Sequence, residues 1–322
     1  MLQFCLKCGA AAFGPAAPSM PYKPPQSTTT APPGHQPQWH AQAPLYAPGP
    51  QNPLPQGRSV VAGLLHPKER VYKAMMLGFG VVGWILILLG IGWAATMGER
   101  GAVGIVLRYA LYGFLALLVF VIYAAVYRAN AFGNMILLGP RQFPQLHDMV
   151  VNGANELGMR GAPQAFIYNS NGVFNAFARR LLGGPYVFLT SALVEANSDE
   201  QVKFVIGHEL GHHAAGHLNP WLKLLELPAY LLPFLGRALS RSQELTCDAI
   251  GSYLSKDPVA SETALQMFGC GCGRLNQQMS CDAFLAQEGM VPPIFGFLNE
   301  IFSTHPRLTL RMAALKNLPR HP

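Results

Sequence analysis

Two long charge-poor runs constrain this chain more than any other feature. Ala74 to Met97 carries no Asp, Glu, Lys or Arg. A helix rises about 1.5 Å per residue, so this run is long enough to cross a bilayer core of about 30 Å. Ile105 to Tyr127 is a second run, with Arg108 near one end, where a long side chain can snorkel to the interface. In lipid each backbone N–H and C=O needs an internal partner, so both runs are expected to be helices, joined by a short loop holding Glu99 and Arg100. The composition agrees: 50% of residues are hydrophobic and only 12% are charged, against the quarter usual in soluble domains. Lys68, Arg70 and Lys73 precede the first span, and Arg128 and Arg141 follow the second. The positive-inside rule then puts both termini and everything after the hairpin in the cytoplasm. The net charge of +7 comes without a basic run interleaved with aromatics, so no nucleic-acid partner is expected.

Beyond the hairpin lies His208-Glu209-Leu210-Gly211-His212. Residues four apart share one face of a helix, so both imidazoles can reach one metal ion. Glu209 then sits beside that metal, placed to polarise a bound water. The flanks favour a helix: Ser198 and Gln201 make a capping box, Asp199 and Glu200 put acid in the first turn, and an apolar run follows. A hydrolytic zinc needs a third protein ligand and an open position. Leu218 stands where a third His would come six residues after the second, so the ligand must come from elsewhere. Glu244 and Asp248 are four apart on a later helical stretch; one can bind metal while the other accepts a hydrogen bond from a ligand His. His213 and His217 form another i,i+4 pair, turned roughly 140° from the ligand face at 3.6 residues per turn, and read as structural or rim residues.

These residues carry a resemblance. The His208–His212 motif, Ser240-Arg241-Ser242-Gln243-Glu244 with Asp248, and the membrane hairpin resemble the HtpX-like and CAAX-prenyl-protease family of membrane zinc metallopeptidases. Asn175-Ala176-Phe177-Ala178 and Ser303-Thr304-His305-Pro306 with Arg311 resemble two further family segments. The resemblance covers roughly Phe132 to Leu318. It implies a gluzincin with one catalytic Zn²⁺ on His208, His212 and Glu244, Glu209 as general base and Asp248 orienting a ligand His. It also implies that Asn175 holds substrate backbone, and that His305 and Arg311 steady the reaction centre. The alternative for the C-terminal segment is a plain helix start with Thr304 as N-cap.

The expected fold is α+β: a mostly helical zincin-type peptidase domain with a small sheet, over 129–322, preceded by a transmembrane hairpin over 67–128. Gln164–Asn169 and Tyr186–Thr190 read as strands, with Gly183-Gly184-Pro185 turning into the second. In zincins such a strand lies beside the zinc helix and pairs with extended substrate. The segment 218–239 holds Lys223, Glu226, Pro228 and Pro233, so it is expected to rest on or re-enter the membrane rather than span it.

At the N-terminus, residues 1–14 carry Cys5-Leu6-Lys7-Cys8-Gly9, one knuckle of a zinc ribbon without its second. Cys5 and Cys8 are therefore a vestige, half of a second metal site completed by another chain, or free thiols. Residues 15–66 read as a disordered linker, since nearly half of the chain's 27 prolines lie between Pro15 and Pro55. The function expected is a membrane-anchored endopeptidase acting on protein or peptide substrates in quality control or regulatory processing. It would be integral to the bilayer, in a bacterial inner membrane, with the catalytic domain and N-terminus cytoplasmic. The alternatives are a dedicated CAAX-type processing protease and a non-catalytic adaptor that binds clients. The sequence leaves homo-oligomer formation open.

Overall fold

The computed structural model describes residues 55–96 and 100–318. Cys5, Cys8 and the Pro-rich stretch up to residue 54 lie outside the described residues. The chain runs α1 (Pro55–Leu64), α2 (Pro67–Thr96), α3 (Arg100–Asn134), β1 (Ile136–Leu137), α4 (Pro144–Glu156), β2 (Gln164–Tyr168), β3 (Ala176–Leu181), β4 (Gly184–Thr190), α5 (Ser191–Ala196) and α6 (Asp199–Ala214). Then come α7 (Pro220–Glu226), a 3-10 turn (Leu227–Leu231), α8 (Leu235–Ser255), α9 (Pro258–Cys270), α10 (Gly273–Asn276) and α11 (Cys281–Ala286). A second 3-10 turn (Gln287–Met290), α12 (Pro293–Phe302) and α13 (Leu308–Lys316) close the fold. This is the expected mostly helical domain with a small sheet, behind two apolar helices.

Both apolar runs form helices long and apolar enough to cross a membrane. Along most of α3 the aliphatic and aromatic side chains stand outward, as no core helix of a soluble protein could sustain. α2 starts ahead of its charge-free run because Glu69 is buried against the domain rather than placed in lipid. One expectation needs correcting. The expected linker 15–66 ends in a helix, α1, which opens on Pro55, where a missing N–H costs nothing, and buries Val61 in the core.

The sheet order is β1-β2-β4-β3, with β2 and β4 parallel and the other pairs antiparallel. Strand alternation sorts its side chains into two cores. Ala165, Ile167, Val187 and Leu189 face the main core, with α4, α6, α8, α9 and α13. Phe166, Tyr186 and Phe188 face the other way and pack with Ala131 near the end of α3. Tyr127 meets Phe188 edge-on at 5.6 Å, and Arg179 bonds the Tyr123 hydroxyl at 2.7 Å, so α3 is fastened to the sheet.

The expected second strand is internal. β4 is hydrogen-bonded on both sides, so extended substrate cannot add to it. The edge beyond it is β3, a strand unseen in the sequence because Ala176-Phe177-Ala178-Arg179-Arg180-Leu181 does not alternate cleanly between apolar and polar.

The segment 218–239 holds α7, the 3-10 turn and the start of α8, and α7 and the turn lie directly along α2. A Cβ on Gly80 would stand 2.2 Å from the Leu225 carbonyl oxygen, and one on Gly83 would meet Pro228 at 2.4 Å. Only glycine permits that approach. Trp84 Nε1 donates to the Leu224 carbonyl at 3.0 Å. Trp221, Leu227, Tyr230 and Leu231 point outward.

Candidate metal centre

The centre is made where α6 crosses α8, and small residues set that crossing. A Cβ on Gly207 would lie 2.9 Å from Gly251 Cα, and one on Gly251 would lie 2.7 Å from the Phe204 carbonyl oxygen. The two backbones nearly touch, so polar side chains either side of the contact meet across a narrow gap. α6 starts at the expected capping box: Ser198 Oγ accepts from Gln201 N at 3.3 Å, and Gln201 Oε1 accepts from Ser198 N at 2.8 Å. Val202 and every residue from Phe204 through His212 are buried, including His208 and Glu209.

The structure brings His208, His212 and Glu244 together. His208 Nε2 is 3.5 Å from Glu244 Oε2, and His212 Nε2 is 3.6 Å from Glu244 Oε1. Ligand atoms on bonds of about 2.0–2.2 Å around a tetrahedral zinc lie about 3.3–3.6 Å apart, so the three residues fit such an ion. Cys247 Sγ also comes within 4.8 Å of ring nitrogens of both histidines. It is the poorer third ligand. The sulfur sits 3.6 Å from His217 Nδ1, and burial, reinforced by Glu244, Glu209, Asp248 and Glu69, pushes its thiol well up. A metal ligand must be thiolate. Burial alone would raise the Glu244 carboxyl, but His208, His305 and His212 outweigh it and hold it well below the usual range.

Asp248 lies behind His208, with Oδ1 2.9 Å from Nδ1. Burial opposes its charge, but Arg311 and His208 win and keep it ionised. Arg311 is buried and forks onto Asp248, Nε to Oδ2 at 2.8 Å and Nη2 to Oδ1 at 2.6 Å; its Nη1 is 3.8 Å from Glu244 Oε2. The resemblance implies that Arg311 steadies the reaction centre, and its guanidinium faces the carboxylates of Asp248 and Glu244.

His305 is partly exposed, with Nδ1 3.0 Å from Glu244 Oε2. The plain helix-start reading does not hold. α13 begins at Leu308 with Arg307 before it, so Thr304 caps nothing. His305 instead sits in the bend between α12 and α13, where Ser303 Oγ accepts from His305 N at 3.2 Å and donates to its carbonyl at 2.6 Å. Arg241 of α8 ties that bend down through the Ser303 carbonyl at 2.8 Å. Asn175 stands at the head of β3. Its N–H donates to Thr190 Oγ1 at 3.1 Å, and its carbonyl accepts from Thr190 N at 3.0 Å.

His213 is structural, as expected: Nε2 meets the Tyr186 carbonyl at 3.0 Å, and burial lowers its pKa to about 4. His217 is different. The rotation argument assumed a continuing helix, but α6 stops at Ala214 and Gly216 turns the chain at φ +77°. His217 therefore swings back and lies buried, with Nδ1 3.2 Å from His212 Nδ1 and Nε2 3.0 Å from Glu69 Oε1. Sequence reasoning missed Glu69 as part of this site. The available clue was the single acid of a helix whose other charges are all basic.

The model of peptidase family M48 matches residues 140–228 and 220–319, more than half of the 322 residues. The plastoglobule-localized metallopeptidase 48 of Arabidopsis thaliana, a chloroplastic protein, is 30% identical over 170 residues, covering 48% of this chain and 48% of that protein. A protease HtpX homolog of Pyrobaculum aerophilum is 29% identical over 181 residues, covering 44% of this chain and 51% of that protein. The crystal structure of S. mikatae Ste24p is similar at a TM-score of 0.43 and 15% identity, covering 82% of this chain and 67% of that one. The chain spans about half the length of these two curated relatives. With its two apolar helices and its His-Glu-x-x-His helix, the chain belongs to peptidase family M48.

Proposed function

We propose that this chain is a membrane-anchored, zinc-dependent endopeptidase in which His208, His212 and Glu244 hold one Zn²⁺. The observation that carries the reading is the approach of both Nε2 atoms to the Glu244 carboxylate at 3.5 and 3.6 Å. A zinc ion held there would lower the pKa of a bound water towards about 7 and polarise a carbonyl. Glu209 takes the water's proton and passes it to the leaving amine. A carboxylate only accepts, so His305 donates from Nδ1 to Glu244, and in its imidazolium form it also donates from Nε2 to the oxyanion of the tetrahedral intermediate. Asp248 fixes His208, and Arg311 acts through Asp248 rather than on the substrate. Extended substrate adds along the edge strand β3, with Asn175 at its head holding substrate backbone.

The substrates in this reading are proteins, met at a bilayer in which α2 and α3 are embedded and against which 218–239 rests. Quality control or regulatory processing suits an exposed edge strand, which reads main chain rather than sequence. The family resemblance supports a bacterial inner membrane, and the flanking Lys and Arg support a cytoplasmic catalytic domain. Impermeant thiol labelling in intact cells tests the orientation: a cysteine introduced at Lys256 should be protected, and its labelling would reverse the assignment. The activity is tested with the purified full chain in detergent and an unfolded protein such as casein. Cleavage at internal bonds, abolished by a chelator and restored by zinc, is expected. Binding of the unfolded protein without cleavage would make the chain an adaptor instead.

A further inference from the structure

We infer that Glu69, on the membrane helix α2, is a positioning residue for the metal site, acting through His217 on the ligand His212. The inference rests on the proposed reading that His208, His212 and Glu244 hold the metal. The contacts are continuous and buried. Glu69 Oε1 is 3.0 Å from His217 Nε2, and both side chains are 1% exposed. His217 Nδ1 is 3.2 Å from His212 Nδ1. The second Glu69 oxygen accepts from the Thr246 hydroxyl, which itself accepts from His66 N at 3.0 Å.

Donor and acceptor chemistry gives this chain of contacts a direction. A carboxylate only accepts, so His217 must present N–H at Nε2 to Glu69. The neutral ring then has a bare Nδ1, which can only accept. His212 must therefore donate from its own Nδ1, and its Nε2 keeps the lone pair that faces Glu244. The Cys247 thiol, 3.6 Å from the same His217 nitrogen, is the weaker and more distant competitor for that acceptor. The result parallels the other ligand. Asp248 fixes the tautomer of His208 directly at 2.9 Å, whereas Glu69 fixes that of His212 through one intervening imidazole. Carboxylates behind metal-binding histidines do this commonly.

What is new is where this carboxylate comes from. Glu69 lies in the first turn of an apolar helix, far in sequence from α6. The membrane anchor is thus an internal part of the site and not only a tether. Lys73 on the next turn of α2 adds a second tie, with Nζ 3.5 Å from the Ala215 carbonyl just past the end of α6.

The test measures zinc affinity of the full chain in detergent by competition with a chromophoric chelator, with circular dichroism to confirm folding. Glu69→Ala should weaken zinc binding by about 10–100-fold. Glu69→Gln, whose amide oxygen still accepts from His217 Nε2, should recover most of it. Thr246→Val removes a bond to Glu69 and leaves the bond to His217. It should bind zinc as the wild type does, whereas a merely structural anchor would make it behave like Glu69→Ala. If Glu69→Ala does not fold, His217→Phe keeps a ring in place without an Nδ1 acceptor and must show the same weakening. Unchanged zinc affinity in folded Glu69→Ala, or in His217→Phe, overturns the inference. Glu244→Ala separates the two levels: if it binds zinc like the wild type, the ligand assignment itself has failed.

Discussion

Arg311 holds Asp248 with a two-pronged grip, 2.8 Å from Nε to Oδ2 and 2.6 Å from Nη2 to Oδ1, more than sixty residues away in sequence. Asp248 in turn holds His208. Both partners of the grip are buried, so removing one leaves a charge without compensation. Arg311→Ala should destabilise the fold by about 3–5 kcal/mol. Arg311→Lys should rescue it poorly, because an ammonium cannot bond both carboxylate oxygens in one plane. Denaturant unfolding of the three proteins checks this, and equal midpoints would show that the grip contributes nothing.

His305→Ala should leave zinc content unchanged and cut turnover by about 10²–10³, the usual cost of losing one oxyanion donor. Steady-state kinetics beside metal analysis decides the matter. A rate within a few-fold of wild type would remove His305 from the mechanism and leave it only as a contact to Glu244.

The α6–α8 crossing makes a separate prediction. Gly251→Ala places a Cβ 2.7 Å from the Phe204 carbonyl oxygen, a backbone atom that cannot swing aside. The helices must part, at a cost of about 1–3 kcal/mol. Because the ligands sit on both sides of that contact, zinc affinity should fall with stability. Loss of stability at unchanged zinc affinity would show that the site tolerates the separation.

Zinc affinity should also depend on pH. In the metal-free protein burial alone lowers the His208 pKa, but Asp248 and Glu244 overcome this and raise it to about 9. A metal needs the neutral ring, so binding at neutral pH displaces a proton. Apparent affinity should weaken as pH falls below about 9, by up to tenfold per unit. Stability of the metal-free fold runs the other way. A raised pKa stabilises the folded state most below the ordinary histidine value, and that contribution fades as pH rises through about 9. Chelator competition across this range checks the first trend, and a flat profile would contradict it.

The parts of the site that the sequence reveals are those set by one helix at a time. His208, Glu209 and His212 follow from a four-residue repeat behind a capping box, and Glu244 with Asp248 follows from the same repeat on α8. The parts that stay hidden depend on chain reversal or on distant elements. His217 looks peripheral until Gly216 is seen to end the helix and fold the chain back. Glu69 reads as one more charge flanking an apolar run until α2 is packed on α8. β3 lacks the alternation of a half-buried strand, so neither it nor the order β1-β2-β4-β3 could be read in advance. The two apolar helices are legible because hydropathy dictates them, but their ends depend on packing: α2 begins at Pro67, ahead of its charge-free run, and α3 runs on to Asn134, where Ala131 packs against the sheet.

The most direct test of the central claim is Glu209→Gln measured beside wild type for zinc content and for cleavage of an unfolded protein. The amide keeps the size of Glu209 and cannot take a proton from water. The account predicts equal zinc content, one ion per chain, with cleavage lost. Cleavage at the wild-type rate by the zinc-loaded Glu209→Gln protein would contradict it.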